Sequence, residues 1–464
     1  MLFAALTFYL SFFCSFFSFR RQSLPANEYF PDISPQPWTL ILLSSPSLAS
    51  EVRRVLSIPP FARYISAEGI SMTGTWMQLM AQSWVMAQLT DKAIMLGLVN
   101  FAGGIPMLAL TMIGGSMADK HDKRTILVVT QIVQIVLACL MGWLVGSGAV
   151  QIWHILTVAF LLGISNAFEM PSASALVPEL VGRNHVKTAI AIDRAVFHGT
   201  RLIGPSLAGY AVARWGASSA FYFNALSYLA LIIALLTLKP RPLGSEEEES
   251  QRRSGMGDGI RYVRSDKPTL AMISMMAATT VFVFPVMVVM LPLFVKNILH
   301  LEAREMGVLM GISGIGSLVG AVGLLTVGSN FRKPLLCCGV FGTVIALTGL
   351  SFADRFWTAA SFLVLLSLSV STLIGLSNII VQERAPGPLR GRVSAIAGLS
   401  FFGLLPIAGL GITSLCDAMG MRNGLRVSAA IYLVISIGIL VGVIRNVSMH
   451  PDEVAQGTKV SPAS

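Results

Sequence analysis

The chain has 464 residues, of which 54% are hydrophobic and only 12% charged, and a formal net charge of +10. A soluble domain carries roughly 25% charged residues, so this balance, with a mean hydropathy of +0.72, excludes a water-soluble protein and indicates a polytopic membrane protein. The basic excess falls in short loops between apolar runs, where it acts as a topology signal rather than a nucleic-acid face. The five Cys show no C-x-x-C spacing and the six His no ligand spacing, so neither disulfides, nor a metal site, nor a resident cofactor is expected.

Residues 1–19 are apolar and aromatic, followed by Arg20-Arg21 and a Pro-rich polar stretch to about Ser50. An extra span, a signal-like segment and an extension from a misplaced start codon all compete here. The basic pair follows the apolar run, the wrong polarity for a signal peptide. Residues 1–52 read best as an N-terminal extension outside the core, either disordered or an extra hydrophobic segment.

The core begins at Arg53-Arg54. Apolar segments at 62–89, 93–118, 125–147, 151–178, 187–213 and 216–238 fill a first unit over 53–238. A hydrophilic stretch over 239–268, containing Glu246 to Glu249, reads as a solvated linker. Segments at 269–297, 305–328, 333–352, 356–383, 392–416 and 424–445 fill a second unit over 269–446, before a tail over 447–464. A spanning helix needs roughly 20 residues, so about twelve transmembrane helices in two six-helix bundles are predicted. Alternate loops holding Lys120/Lys123/Arg124, Arg183/Lys187, the linker, Arg332/Lys333 and Arg384/Arg390/Arg392 are the more basic set. They are placed in the cytoplasm, with both ends of the core inside a cell membrane. The halves echo one another: Pro178 to Arg183 leads into Ala189-Ile-Ala, and Pro386 to Arg392 into Ser394-Ala-Ile-Ala, a period of about 200 residues. Transporters place substrate sites between such repeats. Trp153, Trp215 and Trp357 near the outer loops read as interfacial anchors.

Charge inside a span costs about 2.5–3.5 kcal/mol even on the lenient insertion scale, which makes it a functional suspect. Glu68, Glu169, Asp193 and Arg201 qualify as candidate proton or charge sites. At 1.5 Å per residue, Arg201 and Glu169 fall near mid-bilayer, where they could pair or each face a water-filled cavity, while Glu68 and Asp193 lie nearer the cytoplasm. Arg201 holds charge but cannot release its proton; a buried carboxylate can exchange one. The alternatives are an interfacial carboxylate for Glu68 and Asp193, and a structural ion pair for Arg201.

Between the second and third predicted spans, Asp119 to Arg124 crowds six charged or titratable residues into six positions. The pattern Gly115-x-x-x-Asp119-x-x-Asp122-Lys123-Arg124 resembles the signature loop of major facilitator superfamily transporters, with Asp122 where the family more usually has Gly. The resemblance implies a cytoplasmic latch of Gly115, Asp119, Lys123 and Arg124, with Gly115 admitting a neighbouring helix. The bare residues also allow a plain topogenic basic loop. A second match runs from Arg201 through Gly204, Pro205 and Gly209, which resembles the antiporter-type bend of the fifth helix of facilitator exporters, with Ala208 replacing one Gly. Asn166 to Pro171, Ala175 to Leu180, Asn224 to Tyr228, Gln382-Glu383-Arg384 and Arg390-Gly391-Arg392-Val393 are similar to the secretion-effector branch, which includes the enterobactin exporter. The last two give a second-half cytoplasmic motif of Glu383, Arg384, Arg390, Gly391 and Arg392. Glu68 and Glu169 depart from the branch's pattern. The resemblance spans about Phe61 to Arg445.

It implies an all-α major facilitator fold, its two bundles related by a pseudo-two-fold axis. By analogy Trp76, Gln78, Gln82, Asn166, Asn378 and Gln382 line a central cavity. The expected function is secondary active transport: proton-coupled efflux of a small organic molecule, such as a siderophore, drug or amphipathic metabolite, by a monomer using the proton gradient as energy source. An importer of the same fold and a non-transporting sensor or scaffold are the alternatives. No phosphate loop, nucleotide fingerprint or catalytic constellation appears in the loops, so an enzyme is not expected.

Overall fold

A computed structural model describes residues 48–238, 256–324 and 331–446. Most of the predicted N-terminal extension, residues 239–255 of the linker, the end of the segment predicted at 305–328 and the tail lie outside the described residues. A short helix α1 (Leu48–Leu56) precedes six long helices: α2 (Pro59–Leu89), α3 (Ala93–Lys120), α4 (Lys123–Gly146), α5 (Ile152–Val181), α6 (Val186–Trp215) and α7 (Ser218–Thr237). A short α8 (Met256–Ser265) leads into six more. These are α9 (Lys267–Phe282, continued by Phe284–Val288, Leu291–Leu293 and a π-helical turn Phe294–Ile298), α10 (Ala303–Leu324), α11 (Arg332–Leu350), α12 (Phe356–Arg384), α13 (Arg390–Gly398, a π-helical turn Leu399–Gly403, then Leu405–Met419) and α14 (Met421–Asn446). Backbone groups in hydrocarbon must be satisfied within their own segment, which makes helix the obligatory choice.

Ten of these helices are long and apolar enough to cross a bilayer. The two that fall short on polarity rather than length are α2 and α6, of 31 and 30 residues. They carry Glu68, Gln78 and Gln82, and Asp193, Arg194 and Arg201.

Proline causes the interruptions in the second half, since it lacks an N–H and its ring collides with the carbonyl four residues back. Pro285 and Pro292 fall at the breaks of α9, where Val289 and Met290 both donate to the Pro285 carbonyl at 2.9 Å. Pro406 sits just after the π-helical turn of α13. In the first half, Pro106, Pro171, Pro178 and Pro205 are carried inside continuous helices.

Within the first half α2 packs on α6 and α7, α3 on α5, and α4 on α5 and α7; within the second, α10 and α11 pack on α12, and α9 and α11 on α14. The repeat shows in matched hydrogen bonds. Thr75 meets the Tyr228 hydroxyl at 3.2 Å and Thr279 meets that of Tyr432 at 3.2 Å, each pair 153 residues apart.

The halves meet along two crossings, α3 with α13 and α6 with α10. Glycine permits both close approaches. A Cβ on Gly209 would lie 2.9 Å from the Ala303 carbonyl oxygen, one on Gly307 would lie 2.9 Å from the Gly209 Cα, and one on Gly97 would lie 3.1 Å from the Gly409 carbonyl oxygen. At the same end Asp417 of α13 caps α3, accepting from the Ala93 and Ile94 amides at 2.7 and 2.8 Å. Lys296 donates to the Ala87 carbonyl at 2.7 Å and to Asp91 at 2.9 Å, and Asn297 to Asp91 at 3.2 Å.

Toward the other end the contact faces continue, but the halves separate. The α3 face that meets α13 at Gly97 and Gly104 recurs, by helical periodicity, at Thr111, Gly115 and Asp119. There Thr111 and Asp119 are exposed, Met112 is 81% exposed, and a Cβ on Gly115 would meet nothing. The α6 face running through Gly209, Ser206 and Leu202 recurs at His198, Ala195 and Ala191, all exposed. The molecule is sealed at one end and parted at the other.

At the parted end Asp122 begins α4 as its N-cap, accepting from the Arg124 amide at 3.1 Å and the Thr125 hydroxyl at 3.0 Å. Asp122→Ala is expected to lower stability by about 1 kcal/mol, and Asp122→Asn to leave it nearly unchanged, because both Asp and Asn cap well. Thermal unfolding in detergent measures both; equal losses would assign the role to the charge instead of the cap.

Candidate functional site

A cavity of about 340 Å³ lies between the halves, on the sealed side of the parting. Thr75, Gln78, Gln82 and Met86 recur on one face of α2 and form its longest wall. The first half adds Asn100 from α3, Asn166 from α5, Arg201 from α6, and Asn224 and Tyr228 from α7. The second half contributes Met287 to Val289 beside the α9 break, Met310 and Ser313 from α10, and Phe402, Leu405 and Pro406 beside the α13 interruption. Apart from Ser313, the polar groups all come from the first half. Several are held by one another: the Asn224 amide donates to Gln78 Oε1 at 2.7 Å, and Thr75 holds Tyr228.

Among the described residues, Arg201 is the one charged side chain lining this cavity. Its guanidinium carbon lies 5.5 Å from the centroid of the Trp76 ring. Such a cation–π contact gives about 0.5–2 kcal/mol, against the about 2.5–3.5 kcal/mol that an arginine in mid-span costs, so stacking alone does not compensate it. The Trp76 indole N–H beside it is buried without a hydrogen-bond partner among the described residues. Arg201 and Glu169 do not pair in this structure, and each has its own neighbours.

None of the three carboxylates lines the cavity. Glu169, half-buried on α5, turns to α4, where it accepts from Gln131 Nε2 at 2.8 Å and from Gln134 Nε2. Gln134 also donates to Asn166 Oδ1 at 3.2 Å, so one amide joins Glu169 to a cavity wall. Glu68, 7% exposed on α2, lies within electrostatic reach of Glu169 and Asp193. Asp193, half-buried on α6, has Arg194 beside it.

The predicted latch residues pin the first half to itself. Lys123 pairs with Glu179 of α5 at 2.6 Å, and Arg124 donates to the Leu238 carbonyl at the end of α7. Asp119 is exposed on the last turn of α3. Gly115 does not admit a neighbour in this conformation, contrary to expectation. The close approach belongs to Gly114, one residue and about 100° round the helix, whose Cβ would sit 2.9 Å from the Ala167 carbonyl carbon. In the antiporter-type bend, Gly204 seats α6 against α2, where a Cβ would be 2.6 Å from that of Trp76, and Gly209 serves the α10 crossing. Pro205 is buried between them.

The second-half motif behaves similarly. Glu383 takes two bonds from Arg332 at 2.6 and 2.8 Å, and Arg384 two-fold pairs with Asp266 at 2.9 and 2.7 Å. Burial would raise the Asp266 carboxyl, but the bonds from Arg384 and Thr269 outweigh it and hold it below the usual carboxylate value. Arg392 reaches Asp258 of α8 at 3.7 Å, and Tyr262 donates to the Arg384 carbonyl at 2.7 Å, so α8 rides on the second half. Arg390 and Gly391 are exposed, and a Cβ on Gly391 would meet nothing.

Of the six expected lining residues, Trp76, Gln78, Gln82 and Asn166 line the cavity and Asn378 and Gln382 do not. The reason is depth. The two stand six and two residues from the end of α12 at Arg384, within about 9 Å of the parted face, whereas the cavity lies toward the sealed end. Asn100, Asn224 and Tyr228 escaped the sequence reading, as did the seal residues Asp91, Lys296 and Asp417. Asn224 and Tyr228 were visible as part of a motif, but nothing local distinguishes a cavity amide from a packed one. The two acids of the seal sit at span ends, where basic loop residues draw the attention.

The model of the family described as transmembrane secretion effector matches residues 55–457. The multidrug efflux pump Tap of Mycolicibacterium fortuitum is 24% identical over 361 residues, covering 75% of this chain and 87% of that protein. The staphyloferrin A transporter of Staphylococcus aureus is 24% identical over 372 residues, 77% and 90% of the two chains. The macrolide efflux protein A of Streptococcus pyogenes is 20% identical over 384 residues, 80% and 93%. In fold, the chain is similar to a bacterial homologue of the human lysosomal transporter Spinster, with a TM-score of 0.65 at 14% identity over 87% of this chain and 99% of that one. It is also similar to the xylose transporter XylE of E. coli, with a TM-score of 0.60 at 12% identity over 87% and 99%. The chain therefore belongs to the transmembrane secretion effector family of the major facilitator superfamily and is a multi-pass membrane transporter, not an enzyme.

Proposed function

We propose that the protein exports small organic molecules across the cell membrane by alternating access, driven by inward proton movement. The observation that carries the reading is the asymmetry of the seam. A cavity between two bundles is closed on one side by the crossings at Gly97 and Gly209–Gly307, while the same helix faces stand apart on the other. The basic loops lie at the parted end, which orients it to the cytoplasm, so the conformation is one that loads from inside. Relatives that include a multidrug efflux pump and a macrolide efflux protein support export.

Proton coupling rests on the placement of Glu68, Glu169 and Asp193. They stand between the cytoplasmic opening and the cavity, in a half where carboxylates have no topological use, and intramembrane acids of this kind mark proton relays. Gln134 donates to both Glu169 and Asn166, so a change in the charge of Glu169 alters the bond that positions an amide of the cavity wall. The ion pairs at the open end join helices within a half, which suits bundles that rock as units. The functional unit proposed is a monomer in the lipid bilayer.

In inverted membrane vesicles with an imposed proton gradient, the protein should accumulate amphipathic dyes or drugs. Glu68→Gln, Glu169→Gln and Asp193→Asn are each expected to cut gradient-driven accumulation about tenfold or more where they carry the proton, while gradient-independent exchange of labelled substrate survives. Full accumulation by all three variants would end the coupling assignment, and uptake only by right-side-out vesicles would mean import.

The outer seal gives a second test. Asp91→Ala combined with Asp417→Ala should raise several-fold the rate at which an Asn100→Cys variant, otherwise cysteine-free, is labelled from outside. Hydrogen bonds from Lys296 and Asn297, with the Lys296 charge, hold the Asp91 carboxyl below its usual value. A lowered value means the latch is complete above the ordinary carboxylate pKa of about 3.9 and is lost only as pH falls through the lowered one. The labelling rate of the sealed protein relative to that of the Asp91→Ala/Asp417→Ala protein, a ratio that cancels the thiolate fraction of the introduced thiol, should therefore stay flat from about pH 8 to 5. A rise in that ratio within the range would place control in another group.

A further inference from the structure

We infer that the cavity takes an organic anion, and that Arg201 with the indole N–H of Trp76 is its anchor. The inference rests on the reading of the cavity as the substrate site, and adds to it the charge of the substrate. Three observations carry it. Arg201 is the one charged side chain among the cavity-lining residues, with no carboxylate on the same wall, so the field inside is positive. Its guanidinium carbon lies 5.5 Å from the centroid of the Trp76 ring, and its N–H donors are the groups that bind carboxylate and sulfonate oxygens. The adjoining Trp76 Nε1 is a buried donor with no acceptor among the described residues, and such groups are rare enough to require a reason. Trp76 Nε1, closed off in this conformation, and the Arg201 donors on the cavity wall are neighbouring groups that a small side-chain shift presents together to the oxygens of a single anionic group.

The charged groups around Arg201 agree with this. On its own helix, Arg194 lies toward the cytoplasmic opening with Asp193 beside it, and His198 stands between Arg194 and Arg201, so Arg201 remains the cation at the cavity itself. From α2, Glu68 lies outside the cavity, and from α5, Glu169 is turned to Gln131 and Gln134. The rest of the lining defines the remainder of the ligand. Met287 to Val289, Met310, Phe402 and Leu405 form an apolar wall opposite the donors. The preferred ligand has an anionic head and an apolar or aromatic body.

The test is equilibrium binding of three probes of one shape to the full-length protein in nanodiscs, by calorimetry without any gradient: 2-naphthoate, the uncharged 2-naphthamide and the cationic 2-naphthylmethylammonium. The wild type should bind naphthoate at least tenfold more tightly than the amide, and the cation weakest. Arg201→Gln should abolish the preference for the anion while leaving amide binding within about twofold. Arg201→Lys should restore part of it, and Trp76→Phe should weaken naphthoate selectively. Unfolding temperatures report whether the variants are intact, and amide binding serves as the control for one that is not. Naphthoate binding no tighter than the amide, preference for the cation, or parallel loss of all probes in a folded Arg201→Gln protein would each overturn the inference. The measurement needs no transport, so export could fail in vesicles with the anion preference intact, or the reverse.

Discussion

A polar group carried into hydrocarbon has to find its partner inside the protein, and that constraint arranges this molecule. Nine of the ten helices long and apolar enough to span meet it by keeping charge to their ends, and α5 is the exception, carrying Glu169. The polar content that function requires is concentrated on α2 and α6, which fall short of the apolar criterion and are packed against each other. Their groups then satisfy one another or open on the cavity: Gln78 with Asn224, Thr75 with Tyr228, Arg201 over Trp76. The same constraint makes the exceptions informative. A half-buried arginine over a ring, and a buried indole N–H, neither with an oxygen acceptor among the described residues, stand out because most polar groups around them are paired.

The two halves divide the work. The first carries the amides, the acids and the arginine on continuous helices; the second supplies an apolar wall shaped by interruptions at Pro285, Pro292 and Pro406. Irregular backbone at membrane depth is tolerated where it lines a cavity, and both interruptions do so here. The first half's prolines remain within continuous helices, and its functional side chains keep a fixed register.

Much of this was legible in the sequence, because apolar run length and loop charge are one-dimensional signals. The predicted spans fall within a few residues of the observed helices, and the stretch from Asp119 to Arg124 marks a real turn in which Asp122 caps α4. Four of six lining residues could be named because α2 and α5 present polar groups rarely seen in spans. Asn378 and Gln382 misled for the same reason: polarity in a span reveals exposure to water but not its depth, and these two are wet by proximity to the face. The seal was not legible at all. Asp417 acts on the N-terminus of α3 from 323 residues or more away in sequence, and no local pattern announces such a contact. Gly115 failed in an instructive way, since the face it shares with Gly97 and Gly104 is a contact face that is parted in this conformation.

That parted face bears on how the cycle is balanced. Lys296–Asp91 is a largely exposed ion pair, worth about 0–1 kcal/mol, and the Asp417 charge at the α3 N-terminus adds about 0.3–1 kcal/mol. Neither could hold two bundles together alone. Most of the closure comes from glycine-mediated packing at Gly97 and at Gly209–Gly307, and the parted end has its own small residues, Ala191, Ala195 and Gly115, on the corresponding faces. Two seams of similar chemistry at opposite ends give two states of similar energy, and a ligand shifts such an equilibrium only by its differential affinity for them. Under the proposed function, the about 2.5–3.5 kcal/mol that an arginine costs in mid-span exceeds either of these outer contacts, so a ligand that neutralises Arg201 would bias the seam without any strong bond having to break.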